Sequence, residues 1–238
     1  MVARTLICGM QSSGASLFAC LLGQVPESVV IVDLYSQAVA PSLSLTYPII
    51  VKTTISTAAT FNDHVASFQP TFKILFLRSP VDVFLSLNPK RYRNDGGMIN
   101  RKLRVQEGLF ARRHELFDLV IYYEDLISNP TRVLETLRAR GFDLPSATLE
   151  FQRTPRAIFE FNITHCSWCR EHYLSKWGFG NVHLWRWGMF DHVSYPHPSR
   201  RIASLVRSAC PLLVDHYSRS TSPAGETMDD RSSENGHV

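Results

Sequence analysis

Gly9 to Ser16 of this 238-residue chain read Gly-Met-Gln-Ser-Ser-Gly-Ala-Ser. An apolar run, Thr5-Leu6-Ile7-Cys8, precedes them, and an amphipathic one, Leu17 to Leu22, follows. Strand, glycine-bearing turn and helix in that order point backbone N–H groups and a helix N-terminus at an anion. The spacing, glycine, four residues, glycine, then two positions ending in Ser16, is that of a nucleotide-phosphate loop. It makes Gln11, Ser12, Ser13, Gly14, Ala15 and Ser16 candidate binding residues. An ATP- or GTP-binding loop carries a lysine where this chain has Ala15. Without it the pull on a β/γ-phosphate pair is weak. That disfavours triphosphate chemistry and suits a smaller anion held by N–H and hydroxyl donors.

A second segment adds a second anion site. Phe72 to Leu77 reads as a buried parallel strand that runs into Arg78-Ser79-Pro80, then Val81 to Ser86. Pro80 suits the first position of a helix, where its missing N–H is no loss. Arg78 then ends the strand, and Ser86 follows two helical turns later. Further on, Leu119 to Tyr123 leads into Glu124-Asp125-Leu126 and then Asn129-Pro130.

These segments, in this order over roughly residues 3 to 140, resemble the sulfotransferases that use 3′-phosphoadenosine 5′-phosphosulfate (PAPS). The resemblance implies that the loop takes the 5′-phosphosulfate and that Arg78 and Ser86 hold the 3′-phosphate. Tyr123, in the Tyr-Glu-Asp segment, joins the cofactor-binding set. Lys176-Trp177-Gly178-Phe179-Gly180 and Trp185-Arg186 are similar to the family's late glycine-rich segment, which closes over the 3′-phosphate and adenine. That adds Lys176, Gly178 and Arg186, although the spacing departs from the pattern. The same tryptophans equally suit an aromatic cluster packing the C-terminal part of the core. PAPS is the implied co-substrate, and no metal is expected.

Two basic functions are missing from their usual places. Ser12 stands where the family's loop has a lysine or arginine. Lys52-Thr53-Thr54 resembles the Lys-Thr-His that ends the third strand, but Thr54 replaces the catalytic histidine. Lys52 keeps a catalytic role in this reading; as an alternative it is a surface lysine at a strand end. Asp33, ending Val29 to Val32, takes the role of base, as carboxylates near the second strand do in other branches of the family. A carboxylate beside an anionic donor has its pKa raised, which suits proton abstraction. As an alternative it is a turn or capping aspartate. His64 and Glu27 are the reserves.

The elements that must position these residues alternate between strand and helix, the sign of a parallel sheet covered on both faces. Strands are expected at 5–8, 29–33, 48–52, 72–78 and 119–123. Helices are expected at 14–22, 57–68, 81–87, 100–116 and 131–140. The fold class is therefore α/β, three layers around a mostly parallel sheet with a P-loop-type first strand–loop–helix. One domain spans 1–218, and the polar sequence 219–238 reads as a disordered tail.

Composition narrows the function classes. Hydrophobic residues make up 45% and charged residues 19%, as in globular domains, and no apolar stretch approaches the roughly 20 residues of a membrane span. The net charge is +4, and Lys90, Arg91, Arg93, Arg101, Lys102, Arg104, Arg112 and Arg113 crowd one stretch. That stretch is either a solvated helix face or a positive rim that draws in a polyanionic donor. No nucleic-acid-binding module accompanies it. Five cysteines without framework spacing point to reduced thiols and a cytoplasmic setting. Cys166 and Cys169 have the composition of half a zinc site but no second pair, so thiols are the favoured reading.

The expected partner is thus a small-molecule or glycan acceptor, with neither nucleic acid nor membrane involved. Because of Ser12 and Thr54, a catalytically impaired nucleotide-binding protein of the same fold is the alternative to a sulfotransferase. A P-loop kinase stands behind both, weakened by Ala15.

Overall fold

The structure is a computed structural model, and it describes residues 4–32, 39–42, 46–145, 149, 157–160, 195 and 197–220. Six strands form one sheet: β1 (Arg4–Gly9), β2 (Val29–Val32), β3 (Ile49–Thr54), β4 (Phe72–Leu77), β5 (Leu119–Tyr122) and β6 (Ala157–Glu160). Their order is β5-β4-β1-β3-β2-β6, and every pairing is parallel. The helices are α1 (Ala15–Leu22), α2 (Phe61–Phe68), α3 (Pro80–Leu87), α4 (Ile99–Ala111), α5 (Arg113–Leu116), α6 (Tyr123–Ser128), α7 (Pro130–Ala139), α8 (Arg200–Ala209) and α9 (Pro211–Ser220). The expected α/β class with a parallel sheet is the observed one.

The strands are mostly apolar because both faces are covered. Side chains alternate across the sheet, so each strand feeds two cores. Leu6, Cys8, Val29, Ile31, Leu75 and Leu77 join α2, α3, α4, α8 and α9 on one face. Ile7, Val30, Val32, Ile74 and Phe76 join α1, α6 and α7 on the other.

Several element boundaries differ from the sequence reading for local reasons. α2 begins at Phe61, not residue 57, because Ser56 Oγ accepts from Ala58 N and Ala59 N and holds a turn. Thr60 then caps the helix reciprocally with Asp63. The single helix expected at 100–116 is two, since Arg112 leaves helical geometry at φ −105. α6, β6, α8 and α9 are additions. α9 carries Arg219 and Ser220, the first residues of the expected tail; 221–238 lie outside the described residues.

The topology picks out one place for a ligand. From β1 the chain builds β2 and β3 on one side, then crosses to place β4 on the other. At such a switch point the connections leave in opposite directions and open a crevice beyond the strands' carboxyl ends. Here that crevice lies between the end of β1, which is the glycine loop, and the end of β4, which is Arg78.

Candidate functional site

The loop is built by three conformational choices. A Cβ at Gly9 would lie 2.7 Å from Ala15 Cβ, so glycine lets α1 start hard against the end of β1. Ser12 turns the chain at φ 64. Gly14 caps α1 at φ 92 and contributes no side-chain cap to the N–H groups at the start of the helix.

Ser13 is wholly buried, and its polar atoms are used inside the loop. Its N–H donates to Met10 O at 3.3 Å, its Oγ donates to the same carbonyl at 2.7 Å, and its Oγ accepts from Ala15 N at 3.3 Å. Of the hydroxyls expected to meet an anion, the one on Ser13 therefore shapes the loop instead. Ala15 is buried against Gly9, and Ser16 lies in the first turn of α1.

Arg78 reaches the loop from β4. Strand pairing sets Leu77 opposite Tyr122, so Arg78 and Tyr123 leave the sheet side by side. The Arg78 guanidinium lies 4.4 Å above the Tyr123 ring and 5.4 Å from the Tyr195 ring, and its Nη1 donates to Ser12 O at 3.3 Å. The side chain is 6% exposed, yet its Nε has no hydrogen-bond partner among the described residues. An arginine so buried, with a donor unused, is suited to an incoming acceptor such as phosphate. Next to it, Ser79 Oγ accepts from Asp82 N and caps α3. Ser79 N in turn donates to Glu124 Oε1 at 2.8 Å, while Tyr217 OH donates to Glu124 Oε2. Burial raises the Glu124 pKa, and these bonds together with the Arg78 charge oppose the rise. Glu124 thus locks the β4–α3 turn that aims Arg78.

Two lysines complete the cluster. Lys90 Nζ donates to Ser12 Oγ at 2.7 Å and to Ser86 Oγ at 3.4 Å, tying the loop to α3. Lys102 is fully buried; its Nζ donates to Gln11 Oε1 at 2.5 Å and to the carbonyls of Arg93 and Asp95 at 2.9 and 3.0 Å. It fastens the 88–98 connection to the loop. In the sequence both lysines belong to the basic stretch. For Lys90 a signal existed, since it follows Ser86 by four residues and so returns to the same side. For Lys102 none did. The stretch itself is not one surface: Arg91, Arg93, Arg101, Arg104 and Arg112 are exposed, whereas Lys90 and Arg113 are half-buried and Lys102 is buried.

The buried Lys102 makes stability depend on pH. Burial pulls its pKa down from 10.5 to about 8, with the Asp95 charge opposing. Between those values the unfolded chain binds more protons than the folded one, so stability rises with pH across that window. Urea unfolding at pH 7 and pH 10 should show the difference between the unsubstituted protein and Lys102→Met moving in favour of the former on the order of 2 kcal/mol. A difference that does not change with pH would mean the ammonium is not held in this way.

The remaining candidates divide. Lys52 is buried near the end of β3 and donates from Nζ to Thr54 Oγ1 at 3.0 Å. It is therefore an interior lysine at the sheet's carboxyl edge, not a surface one. His64 serves the fold: its Nδ1 accepts from Ala40 N at 3.1 Å, and burial lowers its pKa to about 4, against the pull of Asp63. Glu27 is exposed in the turn before β2, at the opposite edge of the sheet from the loop. Both reserves are thus removed as bases. Asp33, Lys176, Gly178 and Arg186 lie outside the described residues, as do Cys166 and Cys169. Cys8, Cys20 and Cys210 are buried and form no disulfide. Burial pushes Cys8 and Cys210 up to about 12. Among the described residues no group of three or more His, Cys, Asp or Glu could hold a metal ion, and no helix is long and apolar enough to cross a membrane.

Fold and loop together define an α/β protein with a glycine-bearing strand–loop–helix unit, a candidate anion site, at its switch point. No family model matches the chain, and no curated protein matches it. Among solved structures it is similar to the crystal structure of a sulfotransferase from Alicyclobacillus acidocaldarius. The identity is 12% and the TM-score 0.42, over 74% of this chain and 92% of that one.

Proposed function

We propose that this protein is a PAPS-dependent sulfotransferase that acts on a hydroxyl or amine of a small molecule or glycan. The observation that carries the reading is the convergence of Ser12, Arg78 and Ser86 at the β1/β4 crevice, through the Arg78–Ser12 and Lys90–Ser12–Ser86 hydrogen bonds. Residues drawn from two separate motifs meet as one cationic cluster, with N–H donors on one side and a guanidinium on the other. A ligand anionic at both ends of a nucleoside fits that arrangement.

In this reading Gly14 N–H and the first turn of α1 bind the 5′ end, and Arg78 and Ser86 bind the 3′-phosphate. Tyr123 supports the Arg78 guanidinium from below. PAPS, when bound, supplies the sulfuryl group. The acceptor forms the new bond to sulfur as the bond to the bridging phosphate oxygen breaks, and 3′-phosphoadenosine 5′-phosphate departs. Asp33 takes the acceptor's proton, and the Lys52 ammonium meets charge on the moving group. Lys176, Gly178 and Arg186 belong to the same proposal as the cover over the adenine end. Cytoplasmic residence does too, supported by Cys8, Cys20 and Cys210 outside any disulfide.

Incubation with PAPS labelled in its sulfate and a panel of hydroxyl and amine acceptors tests the activity directly. Labelled product is expected, and its absence across the panel while PAPS binds would favour the impaired alternative. Arg78→Ala tests the donor assignment. Loss of a charge-assisted pair to phosphate costs roughly 1.5–3 kcal/mol, or about one to two decades of affinity. The substitution should therefore erase most of the preference for 3′-phosphoadenosine 5′-phosphate over adenosine 5′-phosphate. Because Arg78 also anchors Ser12, a lowered melting temperature should accompany the change. A variant that keeps the full preference would remove Arg78 from the site.

A further inference from the structure

The loop lacks its own cation, since position 12 is serine and position 15 is alanine. Lys90 comes to the loop from the end of α3, and Nζ sits 2.7 Å from Ser12 Oγ and 3.4 Å from Ser86 Oγ. Both partners are neutral hydroxyls. No carboxylate pairs with Lys90 among the described residues, and its ammonium also lies 5.7 Å from the centre of the Tyr92 ring. Exposed lysines elsewhere on a surface are hydrated; this one is half-buried, anchored at two points, and left with its charge uncompensated. An ammonium held so is prepared for an anion, because the cost of ordering the side chain is met before the ligand arrives.

We infer that Lys90 is a ligand-binding residue that supplies, from α3, the cation the glycine loop does not carry. It bridges the two anionic ends of the bound nucleotide. This rests on the donor-binding reading above. Lys90 is closer to Ser12 than to Ser86, so its charge serves the 5′ end as well as the 3′ end. Its signature therefore differs from that of Arg78: Lys90 acts on every 5′-phosphorylated ligand, whereas Arg78 acts on the difference made by the 3′-phosphate.

The test is calorimetric titration of the full chain with 3′-phosphoadenosine 5′-phosphate and with adenosine 5′-phosphate. The variants are Lys90→Gln and the double substitution Ser12→Lys/Lys90→Gln. Glutamine keeps an N–H donor for the two hydroxyls and loses only the charge, so a merely structural tie would leave affinity unchanged. We expect Lys90→Gln to weaken both ligands about ten- to hundredfold. Restoring the charge on the loop with Ser12→Lys should recover most of the loss, with melting temperatures confirming that both variants are folded. Unchanged affinity in Lys90→Gln overturns the inference while leaving the donor reading intact. So does a loss that Ser12→Lys fails to recover. If the unsubstituted protein binds the two nucleotides equally, the donor reading fails and the inference falls with it.

Discussion

Replacing Gly14 with valine should reduce affinity for 3′-phosphoadenosine 5′-phosphate by at least about a hundredfold. Gly14 caps α1 at φ 92, a conformation that a β-branched residue avoids. A Cβ there would also lie 2.8 Å from the Tyr123 ring, the same ring that supports Arg78. Relief requires the loop to move, the ring to move, or both. Either motion misdirects the N–H groups at the start of α1 and loosens the guanidinium. The change also costs stability, roughly 1–3 kcal/mol for the strained backbone, so titration should be paired with urea unfolding. Gly14→Ala, with one methyl group, should show the same pattern at smaller size. A folded Gly14→Val protein that binds as the unsubstituted one does would show that the loop is not the ligand's seat.

Turnover should fall by a factor of roughly 100 or more in Asp33→Asn, with affinity for the donor kept. The other candidates are poorly suited to the role. His64 has its Nδ1 occupied by Ala40 N and resists protonation, Glu27 lies at the wrong edge of the sheet, and Thr54 is a poor base. Asp33 directly follows Val32, the last residue of β2, and a parallel sheet gathers its chemistry beyond such strand ends. Single-turnover rates with saturating donor separate the two quantities. Near-normal turnover in Asp33→Asn would leave the acceptor's proton to a group other than the three carboxylate and imidazole candidates.

What could be read in the sequence was what is local. The β1–loop–α1 unit announces itself by glycines at fixed offsets, and Arg78 by an apolar run ending at Ser79-Pro80. The strands needed no tertiary knowledge because the central ones are mostly apolar runs buried on both faces. What escaped depends on how distant segments return. Lys90 and Lys102 look like members of a solvated basic run until the 88–98 connection folds back, whereupon one meets Ser12 and the other is sealed on Gln11. The hydroxyl of Ser13 is indistinguishable from that of Ser12 in the sequence. Only the positive φ at Ser12 sends one outward to Lys90 and leaves the other on Met10 O. β6 pairs with β2 across more than a hundred residues, and no local signal foretells such a partner.

The most direct test of the account is equilibrium titration of the full, unsubstituted chain with 3′-phosphoadenosine 5′-phosphate and adenosine 5′-phosphate, in buffer without divalent metal. The pairing of Arg78 and Ser86 with the 3′-phosphate predicts that the bisphosphate binds at least about tenfold more tightly. Equal affinities for the two, or binding that needs magnesium and favours ATP, would contradict it.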